Sequence, residues 1–173
     1  MVLDTSAFVA GYDPFAVGEE QVTAPKVEEE IQADNLTSLR FLTAVESGKV
    51  KVMQPTEEFL AKAKAAAASV GDAHKLSEAD MQLLALALEL EAAGKDPQIV
   101  TDDYSIQNVA KESGLGFVSL ATFGIRRVLK WIRYCPACHK VYPADYRGST
   151  CGVCGTPLKR KPQREKKQTL SRL

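Results

Sequence analysis

Along residues 1–122, short apolar runs alternate with longer stretches of helical period. Met1-Val2-Leu3 is an apolar run that ends at Asp4, and Thr5 to Ala10 is expected to open a short helix. Pro25 suits the first turn of a second helix, where its missing N–H has no intrahelical partner. Val27 and Ile31 give that helix an i,i+4 core stripe, and Asn35 to Ser47 continues helically with Leu39, Leu42 and Val45 on one face. Val50 to Met53 reads as a strand stopped by Pro55. Glu57 to Ser69, rich in Ala and Lys, and Ser77 to Ala93, rich in Leu and Ala and closed by Gly94, are further helices. Gln98 to Thr101 is a strand running into Asp102-Asp103, Tyr104 to Ser113 a helix stopped by Gly114, and Gly116 to Leu120 a last strand. Strands separated by helices require crossovers, so residues 1–122 are expected to form an α/β domain with a parallel sheet flanked by helices.

The pattern then changes. Residues 123–133 (FGIRRVLKWIR) are amphipathic and basic, and suit a linker or a strand entering a second module. Residues 134–159 are rich in turns and hold all four cysteines, as Cys135-Pro-Ala-Cys138, twelve residues, then Cys151-Gly-Val-Cys154. A C-x-x-C turn offers two thiolates from one tight loop, and two such turns complete the tetrahedral shell that Zn2+ prefers. The spacing matches a zinc ribbon. Four thiolates leave no open position, so the metal is expected to be structural and to supply much of the folding free energy of so small a module. His139 is then an ordinary surface residue. Residues 160–173 form a polar, basic tail expected to be disordered.

Composition adds one asymmetry. The chain has 173 residues, with 22 Lys+Arg against 22 Asp+Glu. Residues 1–125 hold 9 basic and 20 acidic side chains, while residues 126–173 hold 13 basic and 2 acidic ones, a step from −11 to +11. The two parts are expected to do different jobs. No apolar run approaches the length of a membrane span, the start carries no basic stretch of a secretory signal, and paired cysteines in such a chain point to a reducing, cytoplasmic setting.

The acidic part places carboxylates where sheets of this class bind ligands. Asp4 follows one apolar strand and Asp102-Asp103 another, and ligand crevices lie at the carboxyl ends of parallel strands. Asp80 stands three and four residues before Leu83 and Leu84, on the apolar side of its helix, although Ser77-x-x-Asp80 also reads as a capping box. In the Pro25 helix, Glu29 points away from the Val27/Ile31 stripe, while Glu28 and Glu30 flank it and helical geometry does not separate them. Several carboxylates around one crevice repel one another unless a cation lies between them, and oxygen donors suit Mg2+ or Mn2+. No Gly-rich phosphate loop appears, and neither His74 nor His139 has a nucleophile partner for a triad hydrolase.

In this order, Asp4-Thr5-Ser6-Ala7-Phe8, Pro25-x-Val27-x-x-Glu30-Ile31, Leu76-Ser77-x-x-Asp80-x-x-x-Leu84-Ala85 and Thr101-Asp102-Asp103 resemble the PIN-domain ribonucleases. The stretch Thr101-Asp102-Asp103-Tyr104-Ser105-Ile106-Gln107-Asn108, followed by the cysteine ribbon, is similar to the NIN-one-binding (Nob-one) endonucleases of archaeal type, and the likeness covers residues 1 to about 160. The resemblance implies a metal-dependent endoribonuclease that cleaves precursor small-subunit rRNA near its 3′ end during ribosome maturation. It implies that Asp4, Glu30, Asp80 and Asp102 or Asp103 hold a catalytic Mn2+ or Mg2+, with Ser6 and Thr101 supporting the carboxylates by hydrogen bonds. It selects Glu30 over Glu28, because the family's Glu immediately precedes Ile or Leu. The implied partners are the precursor rRNA, the pre-ribosomal small subunit and a KH-domain assembly factor. Two other readings stand beside it: a non-catalytic zinc-ribbon RNA-binding assembly factor, and a toxin-type PIN ribonuclease of the VapC kind acting on tRNA or mRNA.

Overall fold

A computed structural model describes residues 1–32, 37–122, 124–125 and 128–163. Chain order is β1 (Val2–Leu3), α1 (Thr5–Val9), a 3-10 turn (Pro14–Ala16), β2 (Gln21–Thr23), α2 (Pro25–Gln32), α3 (Thr37–Glu46), β3 (Val50–Val52), α4 (Glu57–Val70), α5 (Glu78–Ala92), β4 (Gln98–Val100), α6 (Tyr104–Glu112) and β5 (Gly116–Val118). The C-terminal part adds β6 (Trp131–Tyr134), β7 (Val141–Tyr142) and β8 (Lys159–Pro162).

The first five strands form one parallel sheet in the order β3-β2-β1-β4-β5, the PIN-like α/β arrangement. Strand order reverses between β1 and β4, and there the carboxyl ends of two neighbouring strands splay to opposite sides and leave a crevice. Val2 and Leu3 are fully buried, with Ile99 and Val100 as their partners. Helix α5 supplies Leu83, Leu84 and Leu86 to the core and packs along α4 and α2. Gly94, at φ 78°, lies just beyond its C-terminal end, in the left-handed position that glycine fills without strain.

Three features depart from expectation. Strand β2, not expected from the sequence, holds a single apolar residue, Val22, yet all three of its residues are buried. Two of its polar groups are met from within: Gln21 Nε2 donates to the Pro14 carbonyl at 2.8 Å, and Thr23 Oγ1 to the Leu3 carbonyl at 2.7 Å, while buried Gln21 Oε1 has no partner among the described residues. In α3 the buried residues are Phe41 and Ala44. Leu39 lies two residues earlier, about 200° around the helix, and is exposed rather than on the core face. Finally, the second sheet, β7-β6-β8, is antiparallel and draws in both flanks of the cysteine module. Residues 131–133, read as a linker or as a strand entering the second module, take the second form as most of β6, whereas 160–162, expected in the disordered tail, lie in β8, because each supplies the other with backbone partners. The tail from 164 onward lies outside the described residues, as does the Asn35 start expected for the third helix.

The ribbon sits against the nuclease lobe. Arg160 Nη2 donates to Asp72 Oδ1 at 2.5 Å and to the Gly71 carbonyl at 2.6 Å. Its guanidinium lies 4.4 Å from the centre of the Trp131 ring. Gly71 has φ 78°, and a Cβ there would stand 2.5 Å from the Trp131 carbonyl oxygen. Buried Asn108 donates to Asp72 Oδ2 at 2.6 Å and to the Leu129 carbonyl at 2.8 Å, and accepts from the Leu129 N–H at 2.7 Å. Among the described residues, no helix is long and apolar enough to cross a membrane.

Candidate active site and cysteine centre

Asp4, Glu30, Asp80, Asp102 and Asp103 all line one crevice, together with Thr5, Ser6, Val9, Ala10 and Ala121. The carboxylates arrive on four elements: the end of β1, α2, the first turn of α5, and the segment joining β4 to α6.

Asp4 is the N-cap of α1 and is 5% exposed. Its carboxylate accepts from Thr5 N–H at 2.8 Å, Ser6 Oγ at 2.6 Å and Thr101 Oγ1 at 2.7 Å. Burial pushes its carboxyl above the ordinary value; those hydrogen bonds oppose the shift and the charge of Asp103 adds to it. Asp80 is likewise raised, first by burial and then by the charges of Asp4 and Asp103, against its bonds with Ser77. The capping box is present, with Asp80 Oδ2 accepting from Ser77 N–H at 2.7 Å and Ser77 Oγ from Asp80 N–H at 3.2 Å. Capping and crevice lining are therefore one placement, since the cap fixes the carboxylate at the helix mouth.

Glu30 is held by Thr5, whose Oγ1 donates to Oε2 at 2.9 Å. Glu29 turns outward to Lys26 Nζ at 2.8 Å, and Glu28 is not among the crevice residues. Asp102 and Asp103 differ sharply. The Asp102 carboxylate accepts from the backbone N–H groups of Leu120, Ala121 and Thr122 and from the Thr122 hydroxyl, all at 3.0–3.1 Å. Desolvation acts against its charge, but these donors outweigh it and lower the carboxyl below its ordinary value. Asp103 is exposed and caps α6, accepting from Ser105 N–H at 2.5 Å. Asp102 thus organises the loop after β5, while Asp103 faces Asp4 and Asp80.

Sequence reasoning missed Thr5 and the 120–122 loop. Thr5 stands beside a named acid, a signal that was available. The loop carries no side-chain signature, because its contribution is mostly backbone N–H.

In the ribbon, Cys135 Sγ lies 3.4 Å from Cys154 Sγ and Cys138 Sγ 3.5 Å from Cys151 Sγ. All four sulfurs fall within 4.8 Å of one another, a compactness that no carboxylate group among the described residues matches. A tetrahedron with 2.3 Å metal–sulfur bonds has edges of about 3.8 Å, so the cluster fits one metal ion. Tyr142 Oη sits 3.1 Å from Cys151 Sγ and pulls that thiol down to about 6, towards the thiolate a metal requires. His139, at φ 60°, turns the first knuckle and stays outside the cluster.

Residues 1–90 match the family model described as the PIN domain of ribonuclease. The chain is 40% identical over 164 residues to Endoribonuclease Nob1 of Methanothermobacter thermautotrophicus, covering 94% of this chain and 93% of the relative. It is 39% identical over 166 residues to Endoribonuclease Nob1 of Pyrococcus abyssi, covering 96% of each. It is also 35% identical to Ribonuclease VapC1 of Thermoplasma acidophilum, over 92% of this chain and 76% of that one. With near-complete coverage on both sides and the crevice acids in place, the chain belongs to the Nob1 endoribonucleases, a family built on the PIN domain.

Proposed function

We propose that the crevice cleaves precursor small-subunit rRNA near its 3′ end, with Mn2+ or Mg2+ held by Asp4, Glu30, Asp80 and Asp103. The observation that carries this reading is the convergence of acids from four elements at the point where strand order reverses. Burial and mutual repulsion raise Asp4 and Asp80, and a cation among their oxygens relieves both strains. A bound divalent cation there supplies activation of the attacking water and stabilisation of the leaving oxygen. Thr5, Ser6 and Thr101 hold the carboxylates in their rotamers, and Asp102 keeps the 120–122 loop at the rim. Zn2+ is the ion we assign to the four cysteines, in a purely structural role. The basic ribbon anchors the enzyme on the pre-ribosomal small subunit, where a KH-domain assembly factor is the expected companion.

The test is incubation of the full chain with Mn2+ or Mg2+ and an RNA spanning the small-subunit 3′ junction, mapping every cut, beside a tRNA and an mRNA. A single cut at the junction supports the reading. Preferential cutting of the tRNA or mRNA favours the VapC-type alternative, which the match to Ribonuclease VapC1 over 92% of this chain keeps in view. RNA binding without any cut favours the non-catalytic assembly factor.

A further inference from the structure

The nuclease lobe carries an exposed apolar row that its own packing does not use. Val9 at the crevice is 66% exposed, Phe15 55% and Leu39 70%, and none belongs to the core cluster. Asp13, Pro14 and Phe15, from the turn after α1, and Leu39, Arg40 and Thr43, from α3, enclose a cleft of about 430 Å3. That volume falls within the range of small-ligand sites, roughly 300–1,000 Å3. One wall is locally fixed: Asp13 Oδ1 accepts from Phe15 N–H at 3.0 Å, and Pro14 opens the 3-10 turn, so the Phe15 ring projects from a set backbone.

Arg40 gives the cleft its chemistry. It is the one arginine in residues 1–125, a stretch with a balance of −11. Six lysines or arginines elsewhere in the described chain are drawn into ion pairs with carboxylates, but Arg40 is in none of those pairs. Among the described residues no carboxylate pairs with Arg40, and the planar fork of a guanidinium so placed matches a phosphate from outside. An exposed aromatic ring beside a cation is the pairing that holds single-stranded nucleic acid, the base on the ring and the phosphate on the charge. The position suits the same substrate. Ala10 lines the crevice and Asp13 the cleft, and three residues of chain span at most about 11 Å.

We propose that the Phe15–Arg40 cleft is a subsite for one unpaired nucleotide flanking the cleavage point, its base on the Phe15 ring and its phosphate on Arg40. This rests on the reading of the crevice as an RNA-cutting site and adds to it a basis for selecting a single-stranded junction.

The test places 2-aminopurine singly along an RNA spanning the small-subunit 3′ junction and titrates it with the full chain, with no divalent cation added. Quenching is expected at one or two adjacent positions. Phe15→Ala should abolish it and weaken binding roughly 5- to 150-fold, while Phe15→Trp retains it. Arg40→Ala should make the salt slope of binding shallower by about 0.7, and Arg40→Lys should restore it. In cleavage assays both alanine variants should raise KM and leave kcat within about twofold. Quenching and affinity unchanged in Phe15→Ala and Arg40→Ala would overturn the proposal. So would a dimer in sedimentation that Phe15→Ala dissociates, since the cleft would then be a contact between two copies. Site-specific quenching with no cleavage under any metal would leave the subsite standing and remove the nuclease reading instead.

Discussion

Asp4 keeps its carboxylate where only 5% of the residue meets solvent, three donors hold it, and Asp103 repels it. Such a group holds a cation well and does little to bind RNA. Asp4→Asn and Asp80→Asn should therefore abolish cleavage while RNA affinity stays within about threefold, read by product mapping and by filter binding. Glu30→Gln should behave like them and Glu29→Gln should be near neutral, since only Glu30 is turned to the crevice by Thr5. The raised carboxyls of Asp4 and Asp80 also fix a sign. A cation binds the ionised forms, so protons begin to compete at a pH above the ordinary carboxylate range. Mn2+ affinity, followed by the electron-spin signal of the free ion, should fall as pH drops and begin to fall above the ordinary carboxylate range; a profile that stays flat down to that range would show that neither carboxylate is a ligand.

At the scale of elements, the loop after β5 depends on one side chain from a neighbouring strand end. Asp102→Ala leaves the N–H groups of Leu120, Ala121 and Thr122 without their acceptor and should lower stability by about 1–3 kcal/mol in urea unfolding, with faster amide exchange in 120–122. Which elements were legible follows the same physics. Helices α4, α5 and α6 announce themselves by period and stop signals, Asp4 by its place at the end of an apolar strand and Asp80 by its place on the apolar side of its helix. Strand β2 was not legible, because two of its three residues are polar and the carbonyls their donors meet, those of Pro14 and Leu3, come together only in the folded chain. The division of labour between Asp102 and Asp103 was hidden for the same reason: its cause is a backbone loop 18 to 20 residues away.

Over the whole molecule, the charge step along the sequence becomes a contact. Asp72 is buried, and Arg160 reaches it across 88 residues of chain. Arg160→Ala leaves that carboxylate with Asn108 as its remaining side-chain partner and should cost up to about 3–5 kcal/mol, detected as a lower Tm and as protease cleavage between the two parts. Truncation after Phe123 should leave a folded α/β domain that still binds Mn2+ but has lost most of its rRNA affinity. If about five basic residues beyond the cut contact phosphates, they should contribute roughly −3.5 to −4.5 to the salt slope of the full chain, and the truncated lobe should keep only the −0.7 or so owed to Arg40. Equal slopes would move the main anchor onto the nuclease lobe.

The central place of β1 in the sheet has a consequence in time. Asp4 is made almost at once, but the Thr101 hydroxyl that steadies it comes 97 residues later. At about 5–20 residues per second, that is a delay of roughly 5–20 s between Asp4 and the hydroxyl that steadies it. Throughout it the growing chain holds that acid without the neighbours that complete the crevice. The strand order thus delays completion of the crevice until most of its lobe has been made.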